Sequence, residues 1–217
     1  MGNIFNLDNK FFRVVNKIVD CVCLSMLWLL FCIPIFTIGA ANTALYYTVN
    51  KVIRHDRGYI SSEFWHAFKT NFKQSTLAWL IVLVAGILMC MDAYIMYQFA
   101  QAGEKIGVMY IIFIVFFAFL IAWANYIFSY IARFENTLKQ TLKNTALIAI
   151  GSFLRTVLLF VLFAICALAI YLFPFAILFV PSLYMVIKNR VMENIFLKYM
   201  SEEDIAAEEE RNREYFN

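Results

Sequence analysis

Residues 21–50 read CVCLSMLWLLFCIPIFTIGAANTALYYTVN and contain no Asp, Glu, Lys or Arg. The stretch is longer than the roughly 20 residues that a helix needs to cross the hydrocarbon core of a bilayer. Pro34 removes a helical hydrogen-bond donor and Gly39 allows a sharp turn, and both lie near its middle. We therefore predict a kinked or re-entrant hairpin, whose return leg from Thr37 to Val49 spans about 20 Å as a helix. The pattern leaves open whether this leg crosses the membrane or re-enters it.

Three more uncharged stretches follow, at 74–91, 106–132 and 156–187. Each reaches the length of about 18 residues that is typical of a membrane span. Hydrophobic residues make up 63% of the sequence and charged residues 15%, against roughly 45–50% and 25% in soluble domains. Pro174 and Pro181 predict a second hairpin at 156–197. The predicted fold class is all-α, a polytopic membrane helical bundle with about 5–6 membrane helices.

The positions of the basic residues predict the orientation. Lys and Arg cluster before and after the first uncharged stretch and after the third and fourth stretches, and cytoplasmic loops carry the excess of such residues. If the first and fourth stretches both enter and return, every basic residue except Lys105 lies on one side. We predict that both termini are cytoplasmic, with Lys188 and Arg190 snorkelling to the inner surface. Residues 1–200 then form one membrane-embedded domain, and 201–217, with seven acidic residues and two arginines, form an acidic cytoplasmic tail.

The break in the first stretch is one candidate site. A broken membrane helix can bind a solute through freed backbone groups and nearby polar side chains. This interpretation makes a site of Pro34, Thr37, Gly39, Asn42 and Thr43. The alternative is a kinked helix pair that packs closely through small residues, from Gly39 to Thr43 and from Ala40 to Ala44.

An internal repeat is the second candidate. Residues 68–77, FKTNFKQSTL, align without gaps with 138–147, LKQTLKNTAL. In both copies, lysines four residues apart place a basic edge beside an apolar edge of a helix. We predict cytoplasmic interfacial helices at about 62–74 and 135–149, which act either as elbows that orient the next membrane helix or as docking surfaces. The candidate partner or lipid contacts are Lys69, Lys73, Lys139, Lys143, Trp65 and Phe72.

Neither catalysis nor nucleic-acid binding is indicated. The sequence has no H-E-x-x-H, G-x-S-x-G or P-loop motif, and we predict no enzyme and no catalytic, cofactor-binding or metal residues. The five cysteines lie in uncharged stretches and are interpreted as packing residues. Basic residues at the ends of apolar helices favour contact with anionic lipid head groups over nucleic acid. We also predict no ionisable residue at mid-depth in the membrane, which argues against an ion-coupled transporter.

Several short motifs occur in a characteristic order. They are Asn6-Leu-Asp8, Pro34-x-x-Thr37-Ile-Gly39-Ala, Thr43-Ala-Leu-Tyr46-Tyr47, Phe64 to Gln74 and Ala132-Arg133-Phe134-Glu135-Asn136. With these motifs the chain resembles the YesL-like family of bacterial integral membrane proteins, a domain of unknown function. The resemblance implies the cytoplasmic membrane of a Gram-positive bacterium and genes that often accompany carbohydrate ABC importers and polysaccharide-degrading enzymes. It implies no reaction and supplies no catalytic residues.

Three functions are compatible with these observations. The first is a non-enzymatic accessory protein for carbohydrate ABC uptake or its regulation, with importer permeases or a membrane sensor as partner. The second is a small transporter or channel for a neutral solute, whose site is the helix break from Pro34 to Asn42. The third is a structural protein that only shapes the lipid bilayer. The sequence predicts no oligomeric state.

Overall fold

The structure is a computed structural model that describes residues 10–200 together with Glu202, Ile205 and Ala206. Within these residues the chain forms α-helices and no strand, which confirms the predicted all-α bundle. The rest of the predicted acidic tail and the Asn6-Leu-Asp8 motif lie outside the described residues. The helices are α1 Lys10–Cys32, α2 Ile38–Thr48, α3 Ile60–Gln101, α4 Tyr110–Ile131, α5 Leu138–Gly151, α6 Phe153–Leu172 and α7 Val180–Tyr199.

The first uncharged stretch reverses direction between α1 and α2. A 3₁₀ turn, Ile35–Thr37, separates the two helices, and α2 continues into a π-helical turn, Val49–Arg54. After the reversal the chain returns to the N-terminal half of α1, where the Lys17 Nζ lies 3.1 Å from the Asp56 carboxylate. Residues 21–50 therefore form the predicted hairpin, and its return helix, α2, has only 11 residues.

Two side chains bond to backbone carbonyls at the break. The Thr37 hydroxyl lies 2.6 Å from both the Phe31 and the Pro34 carbonyl oxygens. The indole N–H of Trp79, on α3, donates to the Ile35 carbonyl at 2.7 Å. Because these groups are bonded within the protein, the break can lie in apolar surroundings without water.

Four helical segments are long and apolar enough, by length and composition, to cross a membrane. They lie in α1, α3, α4 with the turn before it, and α6, and only 11 to 17% of each apolar window is buried inside the bundle. Outward-facing apolar surface of this extent is compatible with a membrane-embedded protein. The predicted count of about 5–6 membrane helices is reached only with α2, which is too short, and α7, which carries four charged residues, Lys188, Arg190, Glu193 and Lys198.

The predicted interfacial helix at 62–74 is not a separate element. It forms the first turns of α3, whose 42 residues make one continuous helix about 63 Å long. No Pro or Gly occurs between Ile60 and Gly86, so nothing in this part of the sequence ends the helix. Ser75, at the predicted end, is fully buried and lies 2.8 Å from the Thr43 hydroxyl of α2. Packing against α2 therefore holds the helix continuous at this point.

In the second predicted segment, at 135–149, the structure contains the helix α5. It begins later than predicted because Thr137 caps it: the Thr137 hydroxyl accepts from the Gln140 amide N–H, and the Gln140 side chain accepts from the Thr137 N–H. α5 packs on α3, since the Gln74 side-chain amide donates to the Thr141 hydroxyl at 3.2 Å. The two copies of the repeat are therefore in direct contact.

The fourth uncharged stretch also reverses. A 3₁₀ turn at Pro174–Leu178 joins α6 to α7, and Pro181 lies in the first turn of α7, as the sequence predicted. The prediction for Lys188 was wrong, because its side chain does not reach the surface and the residue is only 2% exposed. Residues two apart on a helix point to different sides, so Lys188 packs inside the bundle while Arg190 is exposed.

The basic loops meet at one end of the bundle. The Lys51 Nζ lies 2.8 Å from the Glu63 carboxylate, and Arg54 donates to the Asn189 side chain of α7 at 3.1 Å. Burial acts to lower the pKa of Lys51, but its hydrogen bonds to Glu63 and Tyr47 outweigh burial and raise that pKa above its ordinary value. These contacts hold the chain between α2 and α3 against the C-terminal half of α7.

Candidate functional site

A cavity of about 640 Å³ lies between six helices, all of them except α5. Its volume is within the range of roughly 300–1,000 Å³ that is typical of small-molecule sites. The walls are mostly apolar, and polar groups are brought to it by Trp28, Asn42, Asn125, Tyr184 and Lys188. An apolar cavity with a few fixed polar groups is the usual form of a ligand-binding site.

Asn42 is the residue of the predicted helix-break site that lines this cavity. Its side-chain oxygen accepts a hydrogen bond from the indole N–H of Trp28 at 3.1 Å, which fixes the orientation of the amide. Asn42 lies one helical turn before Tyr46, so both side chains lie on the same face of α2. The Asn42 amide NH₂ group is therefore a donor held at the cavity wall.

The other four residues of that predicted site do not line the cavity. Thr37 bonds the carbonyls of the break, and Pro34 is exposed at the turn. A Cβ at Gly39 would lie 2.5 Å from the Ser75 carbonyl oxygen, so the glycine allows α2 and α3 to approach closely. Thr43 donates to the Gly39 carbonyl at 3.0 Å and lies 2.8 Å from the Ser75 hydroxyl. Small-residue packing and a polar cavity contact therefore occur on the same short helix.

Lys188 is the charged residue of the cavity wall. It lies about 12 Å from the start of α7 and about 16 Å from its end, so it is near the middle of the helix. The Lys188 Nζ lies 5.9 Å and 6.0 Å from the ring centroids of Tyr46 and Tyr184, within the range of cation–π contacts. None of the salt bridges among the described residues includes Lys188.

A buried ion pair lies next to Lys188, on the side away from the cavity. Glu193 is 5% exposed, and its carboxylate lies 3.2 Å from the Arg133 Nη2. The same carboxylate accepts a hydrogen bond from the Tyr46 hydroxyl at 2.8 Å. Tyr46 therefore lies between the Glu193 carboxylate and the Lys188 ammonium group: its hydroxyl contacts Glu193 and its ring contacts Lys188. Both oxygens of the carboxylate are already occupied by Arg133 and Tyr46.

Tyr184 and Asn125 connect α7 to α4 across the cavity wall. The Tyr184 hydroxyl donates to the Asn125 side-chain oxygen at 2.8 Å. The Asn125 NH₂ group donates to the Ile121 carbonyl of its own helix at 3.0 Å. Both polar ends of the asparagine are therefore bonded, and the pair fixes the distance between the two helices.

The predicted lysine surface lies at the basic end of the bundle, away from the cavity. Lys69, Lys73, Lys139 and Lys143 are all exposed. Trp65 is 45% exposed, with the Lys69 Nζ 4.6 Å from its ring, while Phe72 is half-buried. A second cavity of about 500 Å³ opens beside the second copy of the repeat and is lined by Asn136, Asn144 and Leu147 among others.

Sequence reasoning missed Lys188, Tyr46, Tyr184 and Glu193. Tyr184 and Lys188 are four residues apart in the return leg of the second hairpin, which is the spacing of one helix face. A lysine within a predicted membrane hairpin is a signal for a functional residue. The sequence instead predicts a snorkelling lysine, because Lys188 is the first charged residue after an uncharged stretch, where such lysines are common.

These features define a class: an all-α helical bundle, compatible with a membrane-embedded protein, that contains an open cavity between its helices. Residues 21–93, about a third of the chain, match a family described as "Protein of unknown function, DUF624". The chain is similar to that family from within α1 to within α3. The matched segment includes Asn42 and Tyr46 but not Lys188. No curated protein and no solved structure matches the chain.

Proposed function

We propose that the protein is a non-enzymatic integral protein of the cytoplasmic membrane, with its basic end in the cytoplasm, that binds a small solute in the cavity between six helices and transports it. The observation that supports this function is the cavity itself, with Asn42 and Lys188 on its wall. The resemblance to the YesL-like family supports a Gram-positive bacterial source. This is the second of the functions that the sequence left open, with one change: the presence of Lys188 removes the reason for requiring a neutral solute.

The geometry of the break favours solute binding over a purely structural role. Transporters commonly place their sites near mid-depth, next to discontinuous helices. Here the short helix α2 follows the break and presents Asn42 to a cavity whose opposite wall is the middle of α7. A ligand would thus contact both hairpins, each of which contains a proline turn.

Recovery of a bound molecule tests the proposal. Ala167 on α6 lines the cavity, so Ala167→Phe should fill part of it. Ala164→Phe adds the same ring to an exposed position on the same helix, outside the cavity lining, and is the matched control. We expect mass spectrometry of extracts from the purified protein to find a small molecule with wild type and with Ala164→Phe, and to find it lost with Ala167→Phe. Failure to find one in wild type, or equal recovery from both variants, would contradict the proposal.

An accessory role in carbohydrate ABC uptake is the second candidate. The exposed lysines of both repeat copies and the groove beside Asn144 and Leu147 favour it, because they place basic and apolar groups on one accessible surface. The quadruple Lys→Gln variant at Lys69, Lys73, Lys139 and Lys143 should then lose co-purification of importer permeases or of a membrane sensor from cells grown on plant polysaccharide. Lys105→Gln, at the opposite end, is the control, and permeases retained by the quadruple variant would refute this role.

A further inference from the structure

We infer that the ligand of the cavity is an anionic amphiphile, which pairs its anionic group with Lys188 and lays its apolar body along the α3, α4 and α6 walls. The inference rests on the proposed function, in which the cavity is a binding site, and it specifies the chemical class of the ligand. It is carried by a buried lysine that lines an apolar cavity and pairs with no carboxylate among the described residues.

Within the part of the chain that the structure describes, no carboxylate neutralises Lys188. An ammonium group has three donors and no acceptor, and it is costly to bury without an opposite charge. Tyr46 and Tyr184 offer their ring faces, which stabilise a cation only partly. The neighbouring carboxylate, Glu193, is taken up by Arg133 and the Tyr46 hydroxyl. A ligand anion is therefore the missing partner.

The remaining walls specify the rest of the ligand. Phe117, Leu120, Phe163 and Ile170 line the cavity and offer no hydrogen-bonding side chains. A sugar carries many hydroxyl groups, and burying them against such walls without partners is unfavourable. A hydrocarbon body has no such requirement and gains from burial. Asn42 adds one donor to the cavity that Lys188 also lines, and this donor suits a second oxygen of a carboxylate, phosphate or sulfonate head group.

A fluorescent reporter at Cys166 measures occupancy of the cavity. Cys166 is half-buried and lines the cavity, whereas Cys90 is exposed on α3 and does not. Two single-cysteine proteins, retaining Cys166 or Cys90 with the other cysteines changed to alanine, are labelled with a polarity-sensitive thiol dye. Both are placed in phosphatidylcholine nanodiscs. The Cys90 protein reports changes in the bilayer alone.

Three probes with the same hydrocarbon chain test the charge: hexadecanesulfonate, hexadecanol and hexadecyltrimethylammonium. We expect saturable changes at Cys166 and not at Cys90, with the sulfonate binding at least about tenfold more tightly than the alcohol, because a charge-assisted hydrogen bond is among the stronger polar interactions. Lys188→Met should abolish the preference for the sulfonate, and Lys188→Arg should retain much of it. Circular dichroism of each variant checks that it is folded.

The same proteins distinguish a membrane lipid from a free amphiphile. If an anionic lipid is the source, adding phosphatidylglycerol to the nanodiscs changes the Cys166 signal without any probe, and Lys188→Met removes the change. If the ligand is a free amphiphile, only the added sulfonate changes the Cys166 signal. Either of these two results supports the inference. Equal binding of sulfonate and alcohol in wild type, or an unchanged preference in Lys188→Met, would overturn the anionic ligand alone. No response to any probe or lipid would overturn the cavity as a binding site as well.

Discussion

Gly39→Ala tests whether the close approach of α2 and α3 holds the bundle together. A Cβ at this position would lie 2.5 Å from the Ser75 carbonyl oxygen, 2.6 Å from the Trp79 Cβ and 2.9 Å from the Phe128 ring. The Phe128 ring can move, but the other two neighbours are fixed by the α3 backbone. Carbon–oxygen contacts normally begin near about 3.3 Å, so the helices would have to separate by about 0.8 Å.

The expected loss of stability follows from this separation of the two helices. A gap of about 0.5–1 Å forfeits a quarter to a half of each dispersion contact across the interface, and overpacking typically costs about 1–3 kcal/mol. The hydrogen bonds Thr43 to Ser75 and Trp79 to Ile35 cross the same interface and would lengthen, so we take the upper end of that range. Alanine regains about 1 kcal/mol of helix propensity over glycine. We therefore expect Gly39→Ala to lower the free energy of unfolding by about 2 kcal/mol.

Gly86→Ala is the matched control. Gly86 is also a buried helical glycine, but a Cβ there would lie 3.4 Å from the Phe117 ring, an ordinary contact. The helix-propensity term is common to both variants, so Gly86→Ala should gain about 1 kcal/mol and the difference of about 3 kcal/mol isolates the clash. Unfolding by SDS in mixed micelles, followed by circular dichroism, measures both. If Gly39→Ala unfolds at the same SDS fraction as Gly86→Ala, the close helix contact does not stabilise the protein.

Three further substitutions test the buried charges and the start of α5. Lys188→Met should stabilise the ligand-free protein by about 1–3 kcal/mol in the same assay, because it removes a buried cation that pairs with no carboxylate of the described residues; a loss of stability would show that the lysine is a structural residue. Glu193→Gln should cost about 3–5 kcal/mol by removing the buried partner of Arg133, and the exposed control Glu135→Gln should change stability by less than about 0.5 kcal/mol; similar effects of the two would contradict the buried pair. Thr137→Ala removes the cap of α5 and should cost about 1 kcal/mol, with faster hydrogen exchange in the first turn of that helix; unchanged exchange would contradict the capping role.

The hairpin at the first break was predictable because its cause is local. Pro34 lacks a backbone N–H and Gly39 lacks a Cβ, and both facts are visible in the sequence. The partners of the freed carbonyls were not predictable in the same way. Trp79 reaches the Ile35 carbonyl from another helix, and that contact depends on how α3 packs on α2. Local chemistry thus predicts where the chain turns, while tertiary packing decides how the turn is satisfied.

The end of the helix predicted at 62–74 illustrates a second limit. Its repeating pattern of lysines and aromatic residues indicates a helix and its exposed side, and Lys69 and Lys73 are indeed exposed. Helical periodicity does not say where a helix stops, and the sequence offers no breaker before Gly86. The boundary was placed where the composition becomes apolar. A change in the solvent around a helix does not interrupt its backbone hydrogen bonds, so α3 continues through it.

The candidate site was only half predictable, and the missing half follows from charge neutrality inside the bundle. Asn42 was predicted because it lies beside the break. Lys188 was predicted to snorkel to the surface because every basic residue except Lys105 could be placed on one side of the membrane. Together, Glu193, Arg133 and Lys188 carry one net positive charge within the described bundle. The apolar walls of the cavity disfavour a hydrated inorganic counter-ion beside Lys188. A neutral ligand would leave the excess charge in place, whereas an anion with an apolar body would both neutralise Lys188 and fill the space beside it. The same cavity therefore argues for binding and against the neutral sugar that the carbohydrate context first suggests.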